Sequence, residues 1–220
     1  MEWPLLGPLP AEARAAVLSA ARRRSFAKGE VVFHEGDPAD ALHLVTQGHL
    51  VVQVNTADGS RATLNVLGPG SHVGELALVH GTEPEPRSAT VLALENAETL
   101  SLRAAAFHEL CDRYPAVNHI LVDLLAHRVR ELGDRLLEST SIGLDRRVHR
   151  CLLRLADLFA DGPGPVVVPM TQDQLADLVG GTRPSVNQVL QRLQTQGVIR
   201  LGRGRVELLD RPALERKAGW

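Results

Sequence analysis

Residues 170–206, MTQDQLADLVGGTRPSVNQVLQRLQTQGVIRLGRGRV, constrain this chain more than any other stretch. The Thr171 hydroxyl can accept an unpaired backbone N–H and so open a helix. Leu175, Leu178 and Val179 then form an i, i+3, i+4 apolar stripe. Gly180 and Gly181 break that helix. Thr182 can cap a second one, with Pro184 placed early, where its missing N–H costs little. Val186, Val189, Leu190 and Leu193 supply the second buried stripe. Two short helices joined by a glycine turn predict a helix-turn-helix over about residues 171–193. In that arrangement the second helix enters the major groove of DNA with its N-terminal residues at the base edges. Here those residues are Arg183, Ser185, Asn187 and Gln188, each able to hydrogen-bond a base, with Arg192 further along. Val198–Leu201 and Arg205–Leu208 alternate around Gly202-Arg203-Gly204, which predicts a hairpin wing tipped by Arg203. The candidate DNA-binding set is therefore Thr171, Thr182, Arg183, Ser185, Asn187, Gln188, Arg192 and Arg203.

A net charge of −2 would argue against a polyanionic partner if it were spread evenly, and it is not. Residues 1–143 hold 12 Lys and Arg against 18 Asp and Glu, whereas residues 144–220 hold 12 against 8. The basic excess is confined to the C-terminal part. At 220 residues the chain has room for one or two domains, and its 44% hydrophobic content is ordinary for a globular protein. No apolar run reaches the ~20 residues of a membrane span, and the acidic N-terminus does not resemble a secretory signal. Cys111 and Cys151 form no spaced motif, so a reducing cytoplasm is the expected location. His34, His43, His49, His72, His80, His119 and His127 show no metal-ligand spacing and are expected to be exposed strand and helix residues, with no metal bound.

Upstream, residues 9–24 carry a helical period, and from Gly29 to about Leu102 the pattern changes to short alternating strands punctuated by glycine. VVFHEGD, LHLVTQGHLVVQV, ATLNVLGPGSHVGELAL and SATVLAL have strand character, with ADGS as a hairpin turn. This predicts an N-terminal antiparallel β-roll of the jelly-roll or double-stranded β-helix kind. From Pro115 a long helical run extends to about Ser139, with Leu121, Leu125, Leu132 and Leu136 along a seam close to heptad spacing. That seam can pair with a copy of itself or pack on the roll. Thr140 to Gly143 breaks the run. The expected organisation is α+β: a roll with flanking helices over 1–115, a long dimerisation helix and hinge over 116–141, and a winged helix-turn-helix over 142–220.

This order resembles the CRP/FNR superfamily of bacterial transcription regulators, over about residues 9 to 210. The matching residues are Gly29-Glu30, Phe33, Glu35-Gly36-Asp37, Leu44-Val45, Gly48, Gly68-Pro69-Gly70, Gly74-Glu75-Leu76-Ala77, Arg87-Ser88-Ala89 and the helix-turn-helix. The resemblance implies a cyclic-nucleotide-binding roll whose phosphate cassette spans Gly74 to Ala89. In it, Gly74, Leu76 and Ala77 bring backbone N–H groups to an anion, Glu75 accepts from a ribose hydroxyl, Arg87 forks onto the phosphate and Ser88 donates. Alternatively, Glu75 and Arg87 pair with each other. Arg128 matches a family arginine near the pocket, and Leu132 is expected to border the base. cAMP-responsive members present a Thr-Ser or Thr-Asn pair where this chain has Leu132 and Gly133, and the stretch His80 to Pro86 is longer than usual. The implied effector is a cyclic nucleotide: cAMP first, cGMP or a cyclic dinucleotide as alternatives.

The resemblance further implies a homodimer, a palindromic double-stranded DNA operator and RNA polymerase as a partner, with no membrane association. Family members reading TGTGA half-sites carry Glu after the recognition arginine, whereas Pro184 follows Arg183 here. A rival reading is an orphan regulator that binds DNA without a nucleotide. The chain shows no kinase loop, nucleophile motif or catalytic set, so an enzyme is not expected. Arg87→Ala is expected to abolish nucleotide binding and leave the fold intact.

Overall fold

The computed structural model describes residues 3–56, 59–79, 85–162 and 164–219. They form two compact units: residues 1–55 with 66–131, and residues 56–65 with 132–220.

In the first unit, a single 3-10 turn at Pro4–Leu6 and helix α1 (Ala11–Ala20) precede the strands. These are β1 (Arg22–Phe26), β2 (Val31–Phe33), β3 (Ala41–Gln47), β4 (Leu50–Asn55), β5 (Arg61–Leu67), β6 (His72–Val73), β7 (Thr90–Ala93) and β8 (Ala97–Arg103). They assemble as two antiparallel sheets ordered β1-β8-β3-β6 and β2-β7-β4-β5, the expected roll. Strand β3 reads as a nearly continuous apolar run because both of its faces are covered. Leu42 and Leu44 join a cluster with Val17 of α1, Leu102 and Phe107. Val45 faces the opposite way, into the roll with Phe26, Leu50, Val73 and Val91.

Strand β1 corrects the expected helix over 9–24, which ends at Ala20 with Ala21 already extended. Only Phe26 of RRRSF is buried, so this edge strand carries no alternating signal. It is fixed from outside, by its register on β8 from Arg22↔Ser101 to Phe26↔Ala97.

Helix α2 (Ala104–Arg113) and a 3-10 turn at Pro115–Val117 lead into α3 (Asn118–Ser141). Ile120 and Leu124 of α3 are buried against the α1–α2 cluster, and Leu121 packs at its margin. The large apolar residues left exposed on α3 are Val122, Val129, Leu132, Leu136 and Leu137, while Leu125 is half-buried. Val122, Val129 and Leu136 recur every seven residues, with Leu132 between the last two, so this seam is a heptad one. Leu121 belongs to the core side rather than to the exposed seam, and Val122 and Val129 take its place. The chain is helical through Thr140 and Ser141, and the break falls at Gly143, which caps α4 (Leu144–Leu158).

The second unit continues with β9 (Val166–Val168), α5 (Gln172–Val179), α6 (Arg183–Thr195), β10 (Ile199–Gly202), β11 (Arg205–Leu208) and α7 (Arg211–Ala218). Its core joins Val148, Leu152 and Ala156 of α4 with Leu175 and Val179 of α5, and with Val186, Leu190 and Leu193 of α6. The wing is a three-stranded sheet ordered β10-β11-β9, one strand more than the sequence pattern suggests. Residues 56–65, and with them the first part of β5, belong to this unit, and there the Thr63 N–H donates to Asp177 Oδ2 at 2.9 Å. Cys111 and Cys151 are free and buried, and burial pushes the Cys151 thiol up to about 11, a chemically quiet thiol at neutral pH.

Candidate functional site

In the first unit the candidate cassette begins where β6 ends. Gly74 takes φ +83°, a left-handed conformation that strains other residues, and opens the 3-10 turn Glu75–Leu78. A Cβ at Gly74 would stand 2.5 Å from Arg87 Nη1 and 3.0 Å from the Ala41 carbonyl, so glycine is required for close approach as well as for its turn. Ala77 is buried beneath this turn, while Leu76 and Ser88 are exposed.

Arg87 reaches back into the roll, its side chain only 4% exposed. Nη2 donates to Asp40 Oδ1 at 3.2 Å and to the Ala41 carbonyl at 2.9 Å, and Nη1 donates to the Gly74 carbonyl at 3.4 Å. Its guanidinium lies 4.0 Å from the centre of the Phe33 ring. Nε is buried with no hydrogen-bond partner. Burial lowers the Arg87 pKa, and Asp40, Asp37 and Glu75 counter that effect. The pairing of Arg87 with Glu75 does not occur. Asp40, which no spacing in the sequence singles out, takes that place just ahead of β3.

Glu75 and Arg128 do share a neighbourhood. His72 is lowered first by burial, and the charges of Glu75, His127, Glu131 and Arg128 all act on it. Arg128 itself donates to Glu131 at 2.9 Å, one helical turn away. Leu132 lies on the exposed face of α3. Within the extended loop, His80 to Pro84 lie outside the described residues. Beyond them, the Glu85 carbonyl accepts from the Ala39 N–H at 2.9 Å, and Pro38 bridges to Pro86.

The histidines depart from expectation in burial. His43 is 7% exposed, bonded through Nδ1 to Thr99 Oγ1 at 3.0 Å, and its ring faces Phe26 and Phe33. Burial, aided by the Arg87 charge, drops its pKa to about 4. His49 is buried too, against Glu95. Among the described residues no cluster of three or more His, Cys, Asp or Glu is arranged to hold a metal ion.

In the second unit the helix-turn-helix forms as read. The Thr171 hydroxyl accepts from the Gln174 N–H while the Gln174 side chain accepts from the Thr171 N–H, a reciprocal cap. Gly180 ends α5 at φ +59°. At Gly181 a Cβ would stand 2.8 Å from the end of the Leu144 side chain, which would have to shift to admit one. Thr182 caps α6 by accepting from the Ser185 N–H. Two proposed DNA contacts, Thr171 and Thr182, thus already cap their own helices.

Of the others, Arg183 and Gln188 are exposed, while Asn187 is half-buried and 3.5 Å from Gln191. Arg183 Nε lies 3.3 Å from Asp173 Oδ1. Arg192 is engaged by Asp145 of α4 at 2.5 Å, an ion pair that sequence spacing could not show. Arg203 is exposed at the turn between β10 and β11, whereas Arg200 is bound to Glu207 across the same hairpin at 2.9 Å. No helix among the described residues is long and apolar enough to cross a membrane.

Comparison with known proteins agrees with this geometry. A cyclic nucleotide-binding domain model matches residues 23–114, and a Crp-like helix-turn-helix domain model matches residues 146–217. A cyclic AMP receptor protein of Thermus thermophilus is 35% identical over 96% of this chain and 95% of its own. A CRP-like cAMP-activated global transcriptional regulator of Mycobacterium tuberculosis is 30% identical over 88% of this chain and 86% of its own. The solved structure of a CRP/FNR-family transcriptional regulator from Thermus thermophilus superposes with a TM-score of 0.75 at 27% identity, covering 90% of this chain and 99% of that one. These relatives are regulators of transcription rather than enzymes. A roll matched by the cyclic nucleotide-binding domain model and followed by a Crp-like helix-turn-helix, with a relative 35% identical along nearly the whole chain, makes this protein a member of the CRP/FNR family of transcription regulators.

Proposed function

We propose that this chain is a homodimeric, sequence-specific DNA-binding regulator whose DNA affinity is controlled by a cyclic nucleotide held in the roll, with cAMP the leading effector. The observation that carries the effector reading is the buried Arg87 guanidinium, whose Nε lacks a partner beside the close-approach glycine Gly74. A buried charged donor left unsatisfied is costly unless something supplies its acceptor. An anionic phosphate fits that need, and Asp40 alone, itself 62% exposed, does not neutralise a desolvated cation well. In this reading Arg87 and the backbone of Gly74 to Ala77 take the phosphate, Glu75 the ribose, Ser88 adds a hydroxyl, and Arg128 stands by the pocket. The relatives named as cAMP receptor and cAMP-activated regulators favour cAMP.

The exposed heptad seam of α3 supports the dimer, since a stripe of Val122, Val129, Leu132 and Leu136 left in water is what a second copy would cover. A two-fold dimer would present two α6 helices to a palindrome with half-sites about one helical turn apart (~34 Å), with Arg183 reading a guanine and Arg203 a phosphate.

Calorimetric titration of the full chain with cAMP, cGMP and cyclic di-GMP tests the effector, and DNA binding with and without each nucleotide tests the control. Saturable cAMP binding that tightens DNA binding is expected. Sedimentation of Val129→Asp tests the seam: a dimeric wild type and a monomeric variant are expected. A second reading is favoured by the three acceptors Arg87 already has, namely Asp40, Ala41 and Gly74. If no nucleotide binds and DNA affinity is unchanged, the protein is an orphan regulator whose Arg87 is structural.

A further inference from the structure

Arg183 occupies a poor place for a cation. It is the first residue of α6, where the helix dipole is positive, and no acidic residue stands in that first turn. The cap is already complete through Thr182 and Ser185, so the guanidinium adds nothing to helix initiation. Pro184, next in sequence, has no group that could hold it. A negative charge comes instead from the preceding helix, where Asp173 Oδ1 lies 3.3 Å from Arg183 Nε. With the two side chains 65% and 59% exposed, this pair contributes little to stability. Its consequence is geometric. The contact is made at Nε, at the root of the guanidinium, so the two terminal Nη groups remain to serve as a fork. A bidentate fork onto O6 and N7 is how arginine distinguishes guanine.

We infer that Asp173 is a positioning residue for base readout, orienting Arg183 so that its terminal fork meets the guanine. This rests on the reading of Arg183 as a base contact given above. Asp173 has a cost in the same place, because a carboxylate near the DNA backbone repels phosphate. Its presence there means that general affinity is exchanged for discrimination. The orienting effect of so exposed a pair is bounded at about a two- to fivefold gain in discrimination.

The test uses the full chain with cAMP present. Sites are selected from random duplex DNA, and affinities are then measured at fixed salt for the selected duplex and its three single-base variants at the position Arg183 reads. Asp173→Asn should reduce discrimination at that position by about two- to fivefold, while affinity for unrelated DNA rises. Asp173→Glu should recover part of the discrimination, and in an Arg183→Ala background Asp173→Asn should leave it unchanged. If Asp173→Asn tightens binding to all four duplexes alike and keeps the preference, Asp173 is only a repulsive charge and the inference falls. If Arg183→Ala selects the wild-type motif unaltered, the reading of Arg183 falls and takes this inference with it. Loss of the preference in Arg183→Ala, together with its retention in Asp173→Asn, overturns the positioning role alone.

Discussion

Two of the arginines that the sequence singles out, Arg87 and Arg183, live in opposite environments. Arg87 is 4% exposed and bonded to a carboxylate and two backbone carbonyls, with an aromatic ring beneath it. Arg183 is 65% exposed and touches one similarly exposed carboxylate. The first is part of its domain's interior, and the second is an accessory to a finished fold. A residue of the first kind couples function to stability, because removing it strands its partners. A residue of the second kind can be altered for specificity at almost no structural cost. The roll is therefore built around its candidate site, whereas the helix-turn-helix is built first and then decorated.

The largest expected effect breaks or confirms that contrast at Arg87. Arg87→Ala should abolish binding of a cyclic nucleotide and also destabilise the roll by about 2–3 kcal/mol, since Asp40 and two carbonyls lose their donor and Phe33 its cover. The fold itself is expected to stay intact, as the sequence alone suggests, but at a stability cost that only the contacts of Arg87 reveal. Urea unfolding and calorimetry on the same sample read both effects. Lost nucleotide binding with unchanged stability would place Arg87 with Arg183, as an accessory.

The same interior makes the roll sensitive to acid. His43 is buried beside Arg87, Asp40 and Arg24, and its pKa falls from 6.5 to about 4. Above pH 6.5 the imidazole is neutral in both folded and unfolded chains, and its environment costs nothing extra. Below that value the unfolded chain takes up a proton that the folded roll refuses until about pH 4. Stability should therefore drain away between these two values, by on the order of 3 kcal/mol when fully developed. Urea unfolding across this window should show the loss in the wild type and a flatter profile in His43→Gln. Equal slopes in the two proteins would mean that other groups carry the acid response.

How legible each region was follows from the same contrast. The helix-turn-helix was readable because its signals are local: Thr171 and Thr182 cap within three residues, Gly180 ends a helix in place, and the apolar stripes are i, i+3, i+4. The roll's glycine punctuation was also readable, and Gly74 and Arg87, which the resemblance groups together, do meet in the fold. What could not be read depends on partners far away in sequence. Asp40 lies 47 residues from Arg87, β1 is held by β8, and Arg192 is matched to Asp145 on another helix. Which apolar residue of α3 is left exposed near its start was not readable for a related reason. Leu121 and Val122 are equally apolar, and only the packing of α1 and α2 decides which of them is covered.

At the exposed site the effects should be smaller and confined to binding. Arg183→Ala should cost ~1–3 kcal/mol at one base position per half-site, seen as relaxed preference in sites selected from random DNA. Its unfolding free energy should stay within about 0.5 kcal/mol of wild type, as for a surface substitution. A larger loss of stability would erase the distinction from Arg87. An unchanged motif would transfer specificity to Asn187, Gln188 or the shape of the DNA.

The smallest effect belongs to Arg203, exposed at the tip of a hairpin that also carries Arg200, held by Glu207, and Arg205 at the start of β11. A cation at a wing tip with no place in the packing can neutralise a phosphate, and a phosphate carries no sequence information. Arg203→Ala should then weaken specific and unrelated DNA alike, leaving the selected motif as it was. With one phosphate fewer neutralised, fewer counterions are released on binding, so the slope of log affinity against log salt should flatten by about one unit per phosphate. Titrations at several salt concentrations, run beside Arg183→Ala, separate the two arginines. One should change which sequence is bound, the other only how steeply binding responds to salt. If Arg203→Ala instead alters the motif at the operator's edges, the wing reads a groove, and the second unit holds two specificity elements rather than one.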